Sequence, residues 1–309
     1  MELIKDSHPK GPRGAVLSIG NFDGLHLGHM KILRRLARRA RELSAPSIVY
    51  TFDPHPRKVI TPGESPPLIV APADKVRLIE EAGVDCLVLA SFTQEFASKH
   101  PREFVKDVLV DALGVKEVVV GHDYAFGKGK SGTIEQLKKF GREFGFGVEI
   151  VPAYLKGGSA VSSSRIRTLV TEGRVGEAAK LLGRDFSIRG TVVSGKDLGK
   201  QIGFPTANLK VSSELIPKNG VYAVTVDFDG RVLSGVMNVG LAPTFGGKKV
   251  GLEVHLLDFD GDIYGRELVV SLVRRLRGER PFRDIDALAK RIGIDIKSAR
   301  RILAKRCKG

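Results

Sequence analysis

Apolar and polar positions follow two rhythms along the first half of the chain. An apolar run at 15–19 gives way to M-K-I-L-R-R-L-A-R-R-A-R-E-L, beginning at Met30. There Ile32, Leu33, Leu36, Ala37 and Ala40 form one stripe, with arginines on the other face. That period of 3.6 predicts an amphipathic helix behind a short buried strand. The pairing then repeats, with strands predicted at 47–52, 86–90, 117–120 and 148–151 and helices at 73–82, 102–113 and 134–144. Pro54, Pro56, Pro62, Pro66, Pro67 and Pro72 mark a loop between the second strand and its helix. Apolar strands alternating with helices predict an α/β fold with a doubly wound parallel sheet.

A helical stretch at 164–182 closes this region, and the rhythm changes at Gly183-Arg184-Asp185. Short β-rich runs follow at 187–193, 220–228, 234–239, 252–257 and 268–276, with Asp229-Gly230 as a hairpin turn between two of them. These predict a small antiparallel β-barrel or sandwich, closed by a C-terminal helix at 284–305. The expected domains are therefore 1–184 and 185–309.

The net charge is +15, and both parts contribute: residues 1–184 carry 28 Lys/Arg against 21 Asp/Glu, residues 185–309 carry 22 against 14. Such a balance favours anionic partners, either nucleic acid or phosphorylated small molecules. Only two cysteines occur, Cys86 and Cys307, without metal-ligand spacing, which fits a reducing, cytoplasmic setting. No signal-peptide pattern opens the chain, and no apolar run approaches the ~20 residues of a membrane span.

Residues 19–29 read I-G-N-F-D-G-L-H-L-G-H, placing His26 and His29 in a glycine-rich turn between strand and helix. The helical zinc motif spaces histidines i, i+4 and adds a glutamate, and neither feature is present. Phosphate binding has the better physical case. The carboxyl ends of parallel strands form a crevice. A helix N-terminus offers unpaired N–H groups and a positive dipole end. Imidazoles there can donate to phosphoryl oxygens whose charge grows during transfer.

H-L-G-H resembles the H-x-G-H signature of the nucleotidyltransferase superfamily, and V-S-S-S-R-I-R at 161–167 resembles its I-S-S-T-x-I-R element, with Ser164 in the threonine position. G-N-F-D-G-L-H-L-G-H at 20–29, T-F-D-P-H-P at 51–56 and G-H-D-Y-A-F-G at 121–127 are similar to motifs of one branch, the bacterial bifunctional riboflavin kinase/FAD synthetases. The resemblance implies a Rossmann-like nucleotidyltransferase domain that adenylylates FMN. It puts ATP against Gly20, Phe22, Asp23, Gly24, His26, His29, Ser162, Ser163, Ser164 and Arg167. It assigns catalytic roles to His26, His29 and Arg167, and flavin to Asn21, His55 and Asp123. Val59-Ile60 and Lys130 depart from it, where aromatic residues and an arginine are usual. Gly127–Gly132 fits G-x-G-x-x-G, with Glu149 following, but six residues separate it from its strand, so a basic phosphate-side loop is the better reading.

In the second half, G-K-D-L-G-K at 195–200 fails the Walker spacing and lacks the Ser/Thr. Thr206 and Asn208, two apart in extended chain, face one side, and their oxygens suit Mg²⁺; P-T-x-N is equally a turn sequence. G-F-P-T-A-N-L at 203–209 resembles the flavokinase signature, supported by G-V-Y-A-V at 220–224, G-V-M-N-V-G at 235–240, P-T-F at 243–245 and E-V-H-L-L-D-F at 253–259. The resemblance implies ATP–Mg²⁺ held by Gly195, Lys196, Gly199, Lys200, Gly203, Pro205, Thr206 and Asn208, the metal by Thr206 and Asn208. It also implies Glu253 as general base toward riboflavin. His255 shares that strand face and reads as a structural neighbour.

The implied protein phosphorylates riboflavin to FMN and adenylylates FMN to FAD, with ATP and Mg²⁺ for both. The alternatives are a single adenylyltransferase for another cofactor precursor and a basic nucleic-acid-binding protein. The C-terminal helix carries Lys297, Arg300, Arg301, Lys305, Arg306 and Lys308, a solvated basic face or a nucleic-acid contact. No motif or aromatic platform supports the latter, so neither a nucleic-acid nor a membrane partner is expected; a weak homo-oligomer is compatible with the sequence.

Overall fold

The computed structural model describes residues 1–5, 11–194, 203–244 and 247–306. The chain forms two compact units, Met1–Ser162 and Ser163–Gly309. The first is a six-stranded parallel sheet built from β1 (Glu2–Ile4), β2 (Val16–Ile19), β3 (Ser47–Asp53), β4 (Cys86–Ser91), β5 (Glu117–Gly121) and β6 (Gly147–Val151). Its order is β1-β4-β3-β2-β5-β6. The chain winds outward from β2 in one direction and then, through β5, in the other. The point of reversal therefore lies between β2 and β5, where doubly wound sheets keep their ligand crevice.

Both sheet faces are buried, which explains why the strands read as continuous apolar runs. Leu17, Tyr50, Val88 and Val118 join one core cluster, while their chain neighbours Val16, Val49, Leu87 and Val119 join the other. Helix α1 (Leu27–Glu42) buries Leu33, Leu36 and Ala40. Its arginines are not simply solvated. Arg39 Nε donates to Glu117 at 2.8 Å, and Arg35 pairs with Glu149. Glu149 is thus held in an ion pair with a helix α1 arginine.

Short helices α2 (Pro56–Ile60), α3 (Pro72–Glu81), α4 (Gln94–Ser98) and α5 (Pro101–Phe104) follow, with α6 (Ile134–Phe144) before β6. The helix expected at 102–113 is α5 running directly into a π-helical segment, Val105–Ala112. A two-stranded hairpin, β7 (Leu155–Lys156) and β8 (Ser159–Ala160), precedes the second unit.

That unit opens with α7 (Ser163–Thr171) and α8 (Val175–Leu182). Gly173 breaks the helical run at φ +79°, and a Cβ there would lie 2.7 Å from Arg275 Cδ. Helix α8 packs on the barrel strands, so the compact units divide after Ser162, ahead of the 184/185 boundary read from the sequence. Six antiparallel strands close a barrel: β9 (Phe186–Val193), β10 (Ala207–Val211), β11 (Gly220–Phe228), β12 (Arg231–Thr244), β13 (Gly247–Leu256) and β14 (Glu267–Arg277). The ring order is β10-β13-β12-β11-β14-β9. Helix α9 (Ile285–Arg306) buries Asp295, Ala299 and Leu303 at four-residue spacing against the barrel.

Candidate active sites

The first constellation gathers at the carboxyl ends of β2, β3 and β5. Asn21 and the turn 22–25 leave β2, His55 follows β3, and Asp123 follows β5. These three strands are neighbours in the order β3-β2-β5, so residues far apart in sequence share one crevice rim. Phe22 and Leu25 hold positive φ, 46° and 40°, and Gly24 has φ +85°; the turn is a tight, strained path into α1. Gly24 is also close to Ile69, where a Cβ would meet Cδ1 at 3.0 Å.

His26 is the N-cap of α1. Its Nδ1 accepts from His29 N at 3.2 Å, which leaves Nε2 to carry the proton of the neutral ring. The two imidazoles stack, centroids 3.7 Å apart, and His29 meets the edge of Phe22 at 5.4 Å. Gly28 makes the stack possible: a Cβ would sit 3.1 Å from His26 Nδ1 and Cε1. His55 repeats the device at the start of α2, where its Nδ1 accepts from Arg57 N at 3.2 Å.

Asp23 is buried and points away from open solvent, accepting from Ile69 N at 3.0 Å and Val70 N at 3.4 Å. Below the turn lies a residue that sequence reasoning missed. Lys75 is buried, and its Nζ donates to the Asn21 carbonyl at 3.1 Å. Burial pushes its pKa down, against the pull of Asp23 and Asp53. A lysine on a helix ordinarily points to solvent, so only tertiary structure reveals this one.

Val59 packs on the core while Ile60 is exposed at the end of α2. Lys130 is exposed with φ 58°, in the turn bounded by a bridge between Phe126 and Gly132. Ser162 ends the first unit; Ser163, Ser164 and Arg167 lie on α7 of the second. Ser163 and Arg167, one turn apart, share a helix face.

The second constellation sits on the barrel. Thr206 and Asn208 are half-buried while Ala207 and Leu209 are buried, so the two oxygen donors share the face away from the core. Glu253 is directly opposite Asn208 across β10 and β13, and opposite Asn238 across β13 and β12. The three side chains form one row over three strands. Asn238 was not singled out from the sequence, although a lone amide in G-V-M-N-V-G is a readable signal. Partial burial raises the Glu253 pKa above the ordinary glutamate value. His255 Nδ1 lies 2.7 Å from the Pro205 carbonyl; since a carbonyl only accepts, Nδ1 carries the proton and ties the G-F-P-T loop to β13. Gly203 has φ +81°, which suits glycine. Gly195, Lys196, Gly199 and Lys200 lie outside the described residues.

Comparison with known proteins follows this division. A family profile described as FAD synthetase matches residues 8–165, and one described as riboflavin kinase matches 182–303. The bifunctional riboflavin kinase/FMN adenylyltransferase of Pseudomonas fluorescens is 42% identical over 307 residues, covering 98% of each chain. The chain belongs to the bifunctional riboflavin kinase/FMN adenylyltransferase family. The Escherichia coli K12 member is 38% identical over 97% of both chains, and the Bacillus subtilis member 35% identical over 96% of this chain and 94% of its own. A solved chain from Streptococcus pneumoniae, described as a macrolide-efflux protein, superposes with a TM-score of 0.89 at 34% identity, over 97% of this chain and 99% of that one. Among the described residues no helix is long and apolar enough to cross a membrane.

Proposed function

We propose that the chain carries both steps of flavin cofactor synthesis: residues 185–309 phosphorylate riboflavin to FMN, and residues 1–184 adenylylate FMN to FAD. The functional halves are then 1–184 and 185–309, although α8 packs on the barrel strands. The observation that carries this reading is the pair of family matches, in order, each on a fold with its own constellation.

In adenylylation a phosphate oxygen of FMN attacks the α-phosphorus of ATP and pyrophosphate leaves. No protein nucleophile is required, so the residues position the reactants and stabilise charge. His26 Nε2–H and His29 donate to phosphoryl oxygens beside the α1 N-terminus, Arg167 adds positive charge, and Ser162, Ser163 and Ser164 add hydroxyl donors. Gly20, Phe22, Asp23 and Gly24 shape the turn that receives ATP. Asp23 does so by holding Ile69 and Val70, while Asn21, His55 and Asp123 line the flavin side.

In phosphorylation the riboflavin 5′-oxygen attacks the γ-phosphorus of ATP and ADP leaves. Glu253 takes the hydroxyl proton, a role its raised pKa suits. Thr206 and Asn208 provide hard oxygen donors beside Glu253, a set that fits Mg²⁺ completed by water and substrate phosphates. When bound, the metal offsets phosphate charge. Gly203 and Pro205 bound the nucleotide beside these donors, and the basic residues Lys196 and Lys200 supply charge for its phosphates. Two cysteines in a charged chain, with Cys86 buried, support a cytoplasmic enzyme acting on small molecules.

Incubation with riboflavin, ATP and Mg²⁺ followed by chromatography tests the reading. FMN and then FAD are expected. Absence of both products from folded protein sinks it, and FMN alone leaves only the barrel's half.

A further inference from the structure

The basic face of α9 is not an undifferentiated solvated surface. With β14 it borders a half-open cleft of about 580 Å³, within the range of small-molecule sites. Arg274, Arg275, Arg291, Arg301 and Lys305 line it, against one carboxylate among the described residues, Asp295. On α9 the lining residues recur at 291, 298, 301, 302 and 305, one helical face.

Asp295 does not neutralise this cluster. It is buried and engaged by Arg277 at 2.8 Å and Arg291 at 3.1 Å. Arg275 is engaged as well, donating to the Asn219 carbonyl at 2.6 Å. Arg274, Arg301 and Lys305 are exposed and have no carboxylate partner among the described residues. Arg301 and Lys305 are also i, i+4 on one helix, a like-charge pair that destabilises unless an anion sits between.

We propose that this cleft binds a small polyphosphate anion, at a site distinct from the kinase centre. In the six-strand ring, β14 is three steps from β13 in either direction, so the cleft and Glu253 lie on opposite sides of the barrel. Three free cations around a concave space suit adjacent phosphates, with Arg274 and Arg301 offering paired N–H donors. The absence of stacking aromatics from its lining favours a compact anion over a nucleic-acid strand. Among the described residues no aromatic side chain lines the cleft.

The test is calorimetric titration of the full chain with inorganic pyrophosphate at low salt, with amide exchange followed across 285–306. The comparison is R274A/R301A/K305A, whose exposed substitutions leave the melting temperature unchanged. The wild type should bind one equivalent more than the variant, and pyrophosphate should slow exchange in 285–306 of the wild type alone. R301A by itself should weaken that equivalent about tenfold, the worth of one charge-assisted hydrogen bond. R274K/R301K should bind more weakly than wild type yet more tightly than the triple variant, because charge is kept and the paired donors are lost. Equal stoichiometry in wild type and triple variant overturns the proposal. So does protection of 285–306 by a single-stranded oligonucleotide when pyrophosphate gives none.

Discussion

Gly28→Ala separates the stability of α1 from the chemistry proposed at its N-terminus. Gly28 is the second residue of the helix, where alanine is intrinsically the better helix former by up to about 1 kcal/mol. The new Cβ would lie 3.1 Å from both Nδ1 and Cε1 of His26. A contact that tight moves the ring by a few tenths of an ångström, and the ring has little room. It is only 5% exposed, stacks on His29 at 3.7 Å, and caps the helix through a 3.2 Å bond from His29 N. Loss of that cap costs about 1 kcal/mol, which offsets the propensity gain. Net stability should therefore stay within about 1 kcal/mol of wild type by these opposing terms.

Activity has no such compensation. A displacement near 1 Å at a positioned group costs on the order of 10²-fold, and removal of one transition-state donor 10²–10³-fold. A partial shift should lower FAD formation from supplied FMN by roughly 10–100-fold on the same scale. FMN formation from riboflavin should be unchanged. Both rates come from one chromatographic assay, and stability from thermal unfolding. The double variant H26A/G28A should be no slower than H26A, because the alanine then has no ring to displace. FAD formation within threefold of wild type, in a variant with normal melting, would refute the reasoning.

Three further expectations follow from the same structure. Glu253→Gln should cut FMN formation by about 10²–10⁴-fold and leave FAD synthesis from FMN intact, so loss of both in folded protein would contradict independent sites. Burial raises the Glu253 pKa, so the basic carboxylate is lost at a higher pH than for an ordinary glutamate as the solution is acidified; kcat/KM for FMN formation should show an acidic limb above the usual glutamate range, and a flat profile there removes Glu253 as the base. Asp295→Ala leaves the Arg277 and Arg291 guanidinium groups, 15% and 27% exposed, without their shared carboxylate. Such a loss should destabilise the barrel unit by about 3 kcal/mol in denaturant unfolding, and a change under 1 kcal/mol would show the pair to be incidental.

What the sequence reveals here depends on whether a feature repeats along the chain or arises from folding across it. The central strands of the parallel sheet were legible because both faces are buried, so most of their positions are apolar. Strand β1 was not: three residues paired along one edge carry no period. The helix at 102–113 was legible as a helix, but its i→i+5 segment was not, because a pattern of apolar positions does not distinguish nearby helical periods over eight residues. Lys75 escaped notice because its role lies in burial beneath a turn more than fifty residues earlier. The Asn208–Glu253–Asn238 row escaped for the same reason, since barrel register alone brings the three together. The histidine turn shows the intermediate case. Sequence offered four imidazole nitrogens as donors to phosphate. Folding commits His26 Nδ1 to the helix it caps, so that ring faces a ligand through Nε2 alone, and the spacing H-x-x-H becomes a requirement of the cap as much as of the chemistry.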